Sequence, residues 1–445
     1  MRHFTPGKSA RRAREHSLTS RFPIDPAPPP TQRFSLGHPL TPAPLPPASP
    51  GFLSLSSSRP TTRGMTEPIF LDGHSTTPVA PRVAEAMWPW LTGKFGNASS
   101  QGHHHGRQAA TALETARAQV ARLLGAEPRE VLFTSGATEA NNLALKGVSR
   151  RLPEGSSLAV SAVEHRAVLD PARRLQRQRV PLTLIPVNPH GQVTPDLLEQ
   201  TLPPTARLVS VMWANNEIGS INPVSQLAEV CHRRGAWLHC DAAQAVGHIP
   251  IDLDHTPVDL LSLSAHKFGG PQGVGALVIR RREPPIPLEP LWEGGGQEHR
   301  LRPGTPAVAL AVGLGAACDL AHTTQLVEAQ RVATLRDRLW ARLQAGVGDL
   351  ARNGHPLDTL PHNLHVSVPQ VAGDRLHARL TEVSVSAGSA CASGHLEPSH
   401  VLRALGVSES LALASLRFGL TWATTAQQID AAADHVIAVI RELRD

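Results

Sequence analysis

Lys267 follows the apolar run Leu260-Leu261-Ser262-Leu263-Ser264 within His266-Lys267, the one lysine placed after a buried-looking strand in this way. An amine there can act as a nucleophile toward an aldehyde. Asp241 ends a second run, Ala236-Trp237-Leu238-His239-Cys240, with Gln244 just beyond it. A carboxylate facing a pyridine nitrogen keeps it protonated and makes the ring an electron sink. His165, in Glu164-His165 after Leu158-Ala159-Val160-Ser161, can lie flat on such a ring and move protons. Ser135-Gly136-Ala137-Thr138 follows Val131-Leu132-Phe133-Thr134 and precedes the helical pattern Glu139–Leu145, so it offers backbone N–H groups and a hydroxyl to a phosphate. A fifth run, Leu208-Val209-Ser210-Val211-Met212, leads into Asn215-Asn216. Amine, carboxylate, imidazole and phosphate cradle are the groups that pyridoxal 5'-phosphate requires.

Singly, each residue has a plain structural reading: a surface lysine, a helix cap, a satisfied histidine, a turn asparagine. Jointly they do not, because all five runs are short, strand-like and end in a polar residue. In an open, mostly parallel α/β sheet a ligand lies outside the carboxyl ends of the strands, so these distant residues would line one crevice.

The elements that would position them alternate strand and helix patterns from about 80 to 280, with helices such as Ala109–Leu124 and Pro223–Arg234. That alternation predicts an α/β fold. A long helical stretch near Leu320–Leu343 leads to strands at Asn363–Val368 and Val383–Ser386 and an amphipathic last helix at Ala426–Leu443. We expect a large cofactor-binding domain over 77–324 and a smaller α+β domain made of 65–76 with 325–445, including a first strand near Ile69–Leu71.

With 445 residues, 41% of them hydrophobic, the chain can bury a large core, and no apolar run reaches bilayer length. The net charge of +6 suggests nucleic acid until it is divided along the sequence. Residues 1–64 hold nine Lys/Arg against Glu15 and Asp25, which leaves −1 for the remainder, so the core has no nucleic-acid signature. The same segment holds 13 of the 40 prolines and shows neither helical nor strand periodicity. Its readings are a disordered arm, an organelle transit peptide opposed by its proline, or, as we favour, a dispensable or spurious extension before a start at Met65. Four cysteines, Cys231, Cys240, Cys318 and Cys391, lack metal or disulfide spacing, which suits a reducing, cytoplasmic compartment.

Leu71-Asp72-Gly73-His74-Ser75-Thr76-Thr77-Pro78, Phe133–Glu139, Asn215-Asn216-Glu217-Ile218-Gly219, His266-Lys267, Arg302-Pro303-Gly304-Thr305 and Ser386-Ala387-Gly388-Ser389-Ala390-Cys391 occur in this order. The set resembles the NifS/IscS-type cysteine desulfurases of the class V aminotransferase fold, from about 69 to 443. The resemblance implies a homodimer of fold-type I subunits that takes sulfur from L-cysteine, releases L-alanine and leaves a persulfide on an enzyme cysteine. It implies that Lys267 holds the cofactor, Asp241 pairs with the ring nitrogen, and Gln244 and Asn216 contact the ring hydroxyl region. His165 would stack and shuttle protons. Ala137, Thr138, Ser264 and His266 would hold the phosphate with Thr305 of the neighbouring subunit. Arg417, in Ser415-Leu416-Arg417-Phe418, would grip the substrate carboxylate, beside Asn216. It implies no resident metal. The persulfide would pass to an acceptor such as an iron–sulfur scaffold, where Cys391 could touch a cluster during transfer.

The chemistry needs a thiolate that can reach the substrate sulfur, and Cys391 lies between Gly388 and Gly394 among Ser and Ala, a composition suited to a mobile loop. Cys231, Cys240 and Cys318 sit in apolar settings and read as core. The family often has Ala where Ser75 stands and a different aromatic placement around Phe268-Gly269-Gly270, and the chain has no tyrosine. Neither of the first two departures removes a catalytic group, and any family contact made by a tyrosine must be replaced here. His103-His104-His105 reads as a polar loop, not a metal site, and Gly269–Gly273 and Gly294–Gly296 as close-approach turns without a P-loop or dinucleotide ending. Two rivals remain. One is a selenocysteine lyase or other enzyme of the same fold, which would not need Cys391. The other is a non-enzymatic sulfur-trafficking scaffold, which would not need Lys267, Asp241, His165 and Arg417 together.

Overall fold

The five apolar runs are strands of one sheet in the computed structural model, which describes residues 67–387 and 397–445. Residues 1–66 and 388–396, including Cys391, lie outside the described residues, and with them the expectations for the N-terminal segment and the cysteine loop. In chain order the elements are β1 (Ile69–Phe70), α1 (Pro81–Thr92), α2 (His104–Leu124), β2 (Val131–Thr134), α3 (Ala137–Asn142), β3 (Ser157–Ser161), α4 (Arg166–Arg177), β4 (Leu182–Ile185), α5 (Pro195–Thr201), β5 (Ala206–Ser210), α6 (Val224–Arg233), β6 (Trp237–Asp241), β7 (Leu260–Ser264) and β8 (Gly275–Ile279). Then follow α7 (Val308–Val347), β9 (Ala351–Arg352), β10 (Asn363–Ser367), α8 (Gly373–Arg379), β11 (Val383–Ser384), α9 (His400–Ala404), α10 (Glu409–Leu413), β12 (Ser415–Gly419) and α11 (Ala426–Arg444).

The large sheet has the order β2-β8-β7-β6-β5-β3-β4 and is parallel except for β8, which runs against both its neighbours. Its strands are apolar on both faces. Along β2, Val131 and Phe133 join one cluster with α2, α6 and the start of α7, while Leu132 joins a second with α3 and α4. That two-sided burial is what a sheet covered by helices on both faces demands. Helix α6 shows the matching pattern, with Leu227, Ala228 and Cys231 turned inward.

A second, antiparallel sheet, β12-β10-β9, and the parallel pair β1-β11 share a further cluster containing Leu71, Leu339, Val366, Phe418 and Val436. Helix α11 covers it, started by a capping box in which Thr425 and Gln428 satisfy each other's backbone groups. The described residues form one compact unit, and α7 runs unbroken from the first cluster to this one. No helix among the described residues is long and apolar enough to cross a membrane.

The elements lie within a few residues of their expected bounds, with two corrections. The long helix begins twelve residues before Leu320, at Val308. The histidine run is not a loop: His103 caps α2, its ring Nδ1 accepting from the Gly106 N–H at 3.1 Å, and His104 and His105 form the first turn. Its polar composition hid a capping role.

Candidate active site

Strands β2, β3, β5, β6 and β7 point the same way, so their carboxyl ends open on one crevice. A cavity of about 400 Å3 there is lined by Ala137, Thr138, His165, Asn216, Asp241, Gln244, Ser264, His266 and Lys267, together with Ser135, Gly136 and Asn141. Nine of the eleven cofactor and substrate residues expected from sequence and resemblance, Cys391 apart, are thus brought together. Gly136 has φ of +151°, and a Cβ on Gly275 would lie 2.7 Å from the Gly136 Cα. Two glycines let the turn before α3 rest directly on β8.

Lys267 ends a single tight turn, Ala265–Lys267, after β7. Its Nζ donates to the carbonyls of His74 at 2.5 Å and Ser75 at 2.9 Å. Burial, followed by the Arg417 charge, lowers its pKa to about 8, against the pull of Asp241 and Asp72. Asp241 is buried; its Oδ1 accepts from the Ala243 N–H at 3.0 Å and its Oδ2 from Asn141 Nδ2 at 2.7 Å. His165 caps α4, with Nδ1 accepting from the Ala167 N–H at 3.1 Å, which leaves Nε2 to carry the proton of the neutral ring. Burial lowers its pKa, so the ring is uncharged at neutral pH. Burial, then Lys267, takes His266 down to about 4, and its Nδ1 lies 3.2 Å from Thr76 Oγ1.

Arg417 lines an adjoining cleft of about 500 Å3 together with His74, Asn216, Glu217, Lys267 and the Arg403 of α9. Its Nη1 donates to the Asn216 carbonyl at 3.0 Å, and its Nη2 reaches Asp72 Oδ1 at 3.0 Å and the hydroxyls of Ser75 and Ser386. Nε is buried without a partner among the described residues, and the guanidinium as a whole lines the cleft, where its fork suits a carboxylate. Glu217 accepts from Ser399 Oγ, and burial raises its pKa to about 7.

Thr305 is exposed and stands apart from the cavity of its own chain. Cys231, Cys240 and Cys318 are free and buried, as expected of core residues, and burial raises all three thiols, Cys231 to about 12. No cluster of metal-ligating side chains occurs among the described residues. Sequence reasoning missed Asn141, Asp72 as the partner of Arg417, and Glu164. Glu164 is fully buried, with Oε1 accepting from the Met212 N–H at 2.5 Å and Oε2 without a partner among the described residues, and burial followed by the Asp241 charge raises its pKa well above the usual range. Burial therefore favours its protonated form. Asp72 and Glu164 stood inside quoted motifs; Asn141 carried no signal beyond its place one helical turn after the phosphate-type turn.

Sheet order, crevice and the placement of a lysine and an aspartate at adjacent strand ends define a fold-type I enzyme scaffold. The family model for class-V aminotransferases matches residues 69–432. The chain is 43% identical over 379 residues to the cysteine desulfurase of Mus musculus, covering 85% of this chain and 82% of that protein. It is 44% identical to the cysteine desulfurase IscS of Anaeromyxobacter sp. (strain Fw109-5), covering 86% and 94%. A solved NifS-like protein superposes with a TM-score of 0.78 at 33% identity, over 84% of this chain and all of that one. The chain belongs to the class-V aminotransferase family, with the cysteine desulfurases of NifS/IscS type.

Proposed function

We propose that this chain binds pyridoxal 5'-phosphate in the cavity at the strand ends and acts on L-cysteine as a cysteine desulfurase, giving L-alanine and a persulfide on Cys391. The observation that carries the reading is the joint geometry of Lys267, Asp241 and His165 around one cavity that is also lined by the glycine turn Ser135-Gly136-Ala137-Thr138. The donor set fits the cofactor. A largely buried amine with a lowered pKa suits its aldehyde, a buried carboxylate oriented by Asn141 suits its ring nitrogen, and Ala137, Thr138, Ser264 and His266 suit its phosphate.

When bound, pyridoxal phosphate supplies the electron sink that makes the substrate Cα–H acidic and loosens the C–S bond. Arg417 and Asn216 hold the substrate carboxylate and so aim Cα at the cavity. Lys267, an amine with its pKa lowered to about 8 and held by two carbonyls, takes and returns the proton at Cα. His165, which lines the cavity and carries its proton on Nε2, would hold the ring and move protons beside it. The Cys391 thiolate forms an S–S bond with the substrate sulfur as the C–S bond breaks; the electron pair stays with the carbon skeleton, which takes up protons to become alanine.

The 65–76 with 325–445 portion acts as a small domain carrying the cysteine loop, and 77–324 as the cofactor domain. A second copy of the chain completes the site, bringing Thr305 to the phosphate. The exposed Trp88, Leu91 and Phe95 near the end of α1 offer apolar surface for that contact. Cys391 passes its sulfur to an acceptor such as an iron–sulfur scaffold, and the three free buried thiols are in keeping with a cytoplasmic site of action. The test is to add L-cysteine and a thiol reductant to the purified, cofactor-loaded protein. Alanine and sulfide are expected in equal amounts, and a yellow, loaded protein that releases neither contradicts the assignment.

A further inference from the structure

The orientation of Gln244 is dictated by a chain of buried hydrogen bonds that starts at a main-chain carbonyl. The carbonyl of Glu217 can only accept, so the Asn363 amide must place Nδ2 toward it, at 2.9 Å. The same Nδ2 lies 2.9 Å from His74 Nε2, which must therefore be the unprotonated nitrogen. The proton of His74 is then on Nδ1 and is donated to Gln244 Oε1 at 3.0 Å. Gln244 Nε2 donates to the His74 carbonyl at 2.9 Å, an acceptor that turns the amide the same way, so the ring and the main chain of His74 together hold both ends of the Gln244 amide. His74, Gln244 and Asn363 are all buried, so no water can substitute for a wrong choice without cost.

The ring of His74 is held in place from its face. His362 lies 4.5 Å from it between centroids, and His248 stacks on the far side of His362 at 3.8 Å. His248 is bonded to the Lys267 carbonyl at 2.9 Å, while neither ring nitrogen of His362 has a partner among the described residues. The titratable groups facing His74 are Arg417, Lys267, His248 and His362. Burial, then the Arg417 charge, keeps it neutral, which preserves the tautomer that the circuit needs.

We propose that His74 is a positioning residue that fixes the Gln244 amide, so that the one N–H left on Nε2 is presented to the cavity as a donor for the ring hydroxyl oxygen of the cofactor. This rests on pyridoxal phosphate being the ligand of that cavity. A donor at this place draws negative charge from that oxygen, so the proton it shares with the cofactor's link to Lys267 should be lost at lower pH than it would be without the relay.

The test is a spectrophotometric pH titration of the bound cofactor in the wild type, His74→Ala, Gln244→Ala and the double variant. His74→Ala should raise the apparent spectral pKa by about one unit, as for loss of one hydrogen bond to a charged group. It should produce no additional rise in the Gln244→Ala background, because His74 acts through Gln244. Asn363→Ala, which cuts the relay at its origin and leaves the cavity wall intact, should shift the value in the same direction and serves if His74→Ala does not fold. An unshifted titration in the folded variants, or shifts of His74→Ala and Gln244→Ala that add, overturns the proposal. A wild-type protein that binds no cofactor, and shows no visible band, fails on the prior reading instead.

Discussion

At the scale of single residues, Lys267 is set apart from other lysines by what surrounds its amine. Two carbonyls hold Nζ while burial and Arg417 bring its pKa down to about 8. Since the neutral amine is the nucleophile, the rate at which the cofactor-free protein takes up pyridoxal phosphate should rise with pH and level off just above about 8, in place of climbing toward 10.5. Stopped-flow absorbance checks this; a rate still rising steeply through pH 10 would show an ordinary lysine. Lys267→Ala should bind no cofactor that borohydride can fix to the protein. Survival of that covalent trapping would move the role to another amine. Glu164 contrasts with Asp241: the Asp241 carboxylate is oriented by Asn141, whereas burial pushes the pKa of the Glu164 carboxyl up.

At the scale of elements, the phosphate-type turn is tied to the segment leading to Thr305 by a buried ion pair. Arg117 of α2 holds both oxygens of Glu298 and also the Val131 carbonyl, and Glu298 accepts from the Phe133 N–H at 2.9 Å. Arg302 meanwhile reaches Glu139, whose other oxygen accepts from the Ser135 N–H at 2.7 Å. Glu298, His299 and Arg300 all have φ between 44° and 67°, a run of left-handed residues that such anchoring sustains. Glu298→Ala leaves Arg117 without its buried carboxylate, with only the Val131 carbonyl and the exposed Glu114 remaining, and should cost about 3 kcal/mol in urea unfolding, while weakening cofactor binding. An unchanged midpoint would show that the pair has no structural consequence. Period and strand-end chemistry made the sheet, α6 and the cavity residues legible in the sequence, because apolar alternation and polar termini are local signals. The Arg117–Glu298 pair and the His74–Gln244 relay were not. They join residues 181 and 170 positions apart, and neither partner has a local pattern that names the other. The helical start at His104 was hidden because a capping histidine looks like loop composition.

At the scale of the whole molecule, the proposed completion of the site by Thr305 of a second chain would make cofactor retention depend on assembly. Dilution should release cofactor in step with monomer formation, and Thr305→Ala should weaken cofactor binding by about 1 kcal/mol. Sedimentation velocity with absorbance detection reads both quantities together. A monomer that keeps its cofactor fully would remove Thr305 from the site. The net charge of −1 outside residues 1–64 argues in the same way at this scale, since the basic character of the chain belongs to that segment and not to the catalytic part.

The central claim is that Cys391 receives the sulfur of L-cysteine. The measurement that tests it most directly is mass spectrometry of the protein after a single turnover with sulfur-labelled L-cysteine and no reductant, compared with Cys391→Ser. The account predicts one added sulfur atom on the Cys391 peptide, matched by one alanine released, and in the variant a protein that stays yellow but acquires none. Label on another cysteine, or alanine formed at the normal rate by Cys391→Ser, would contradict it.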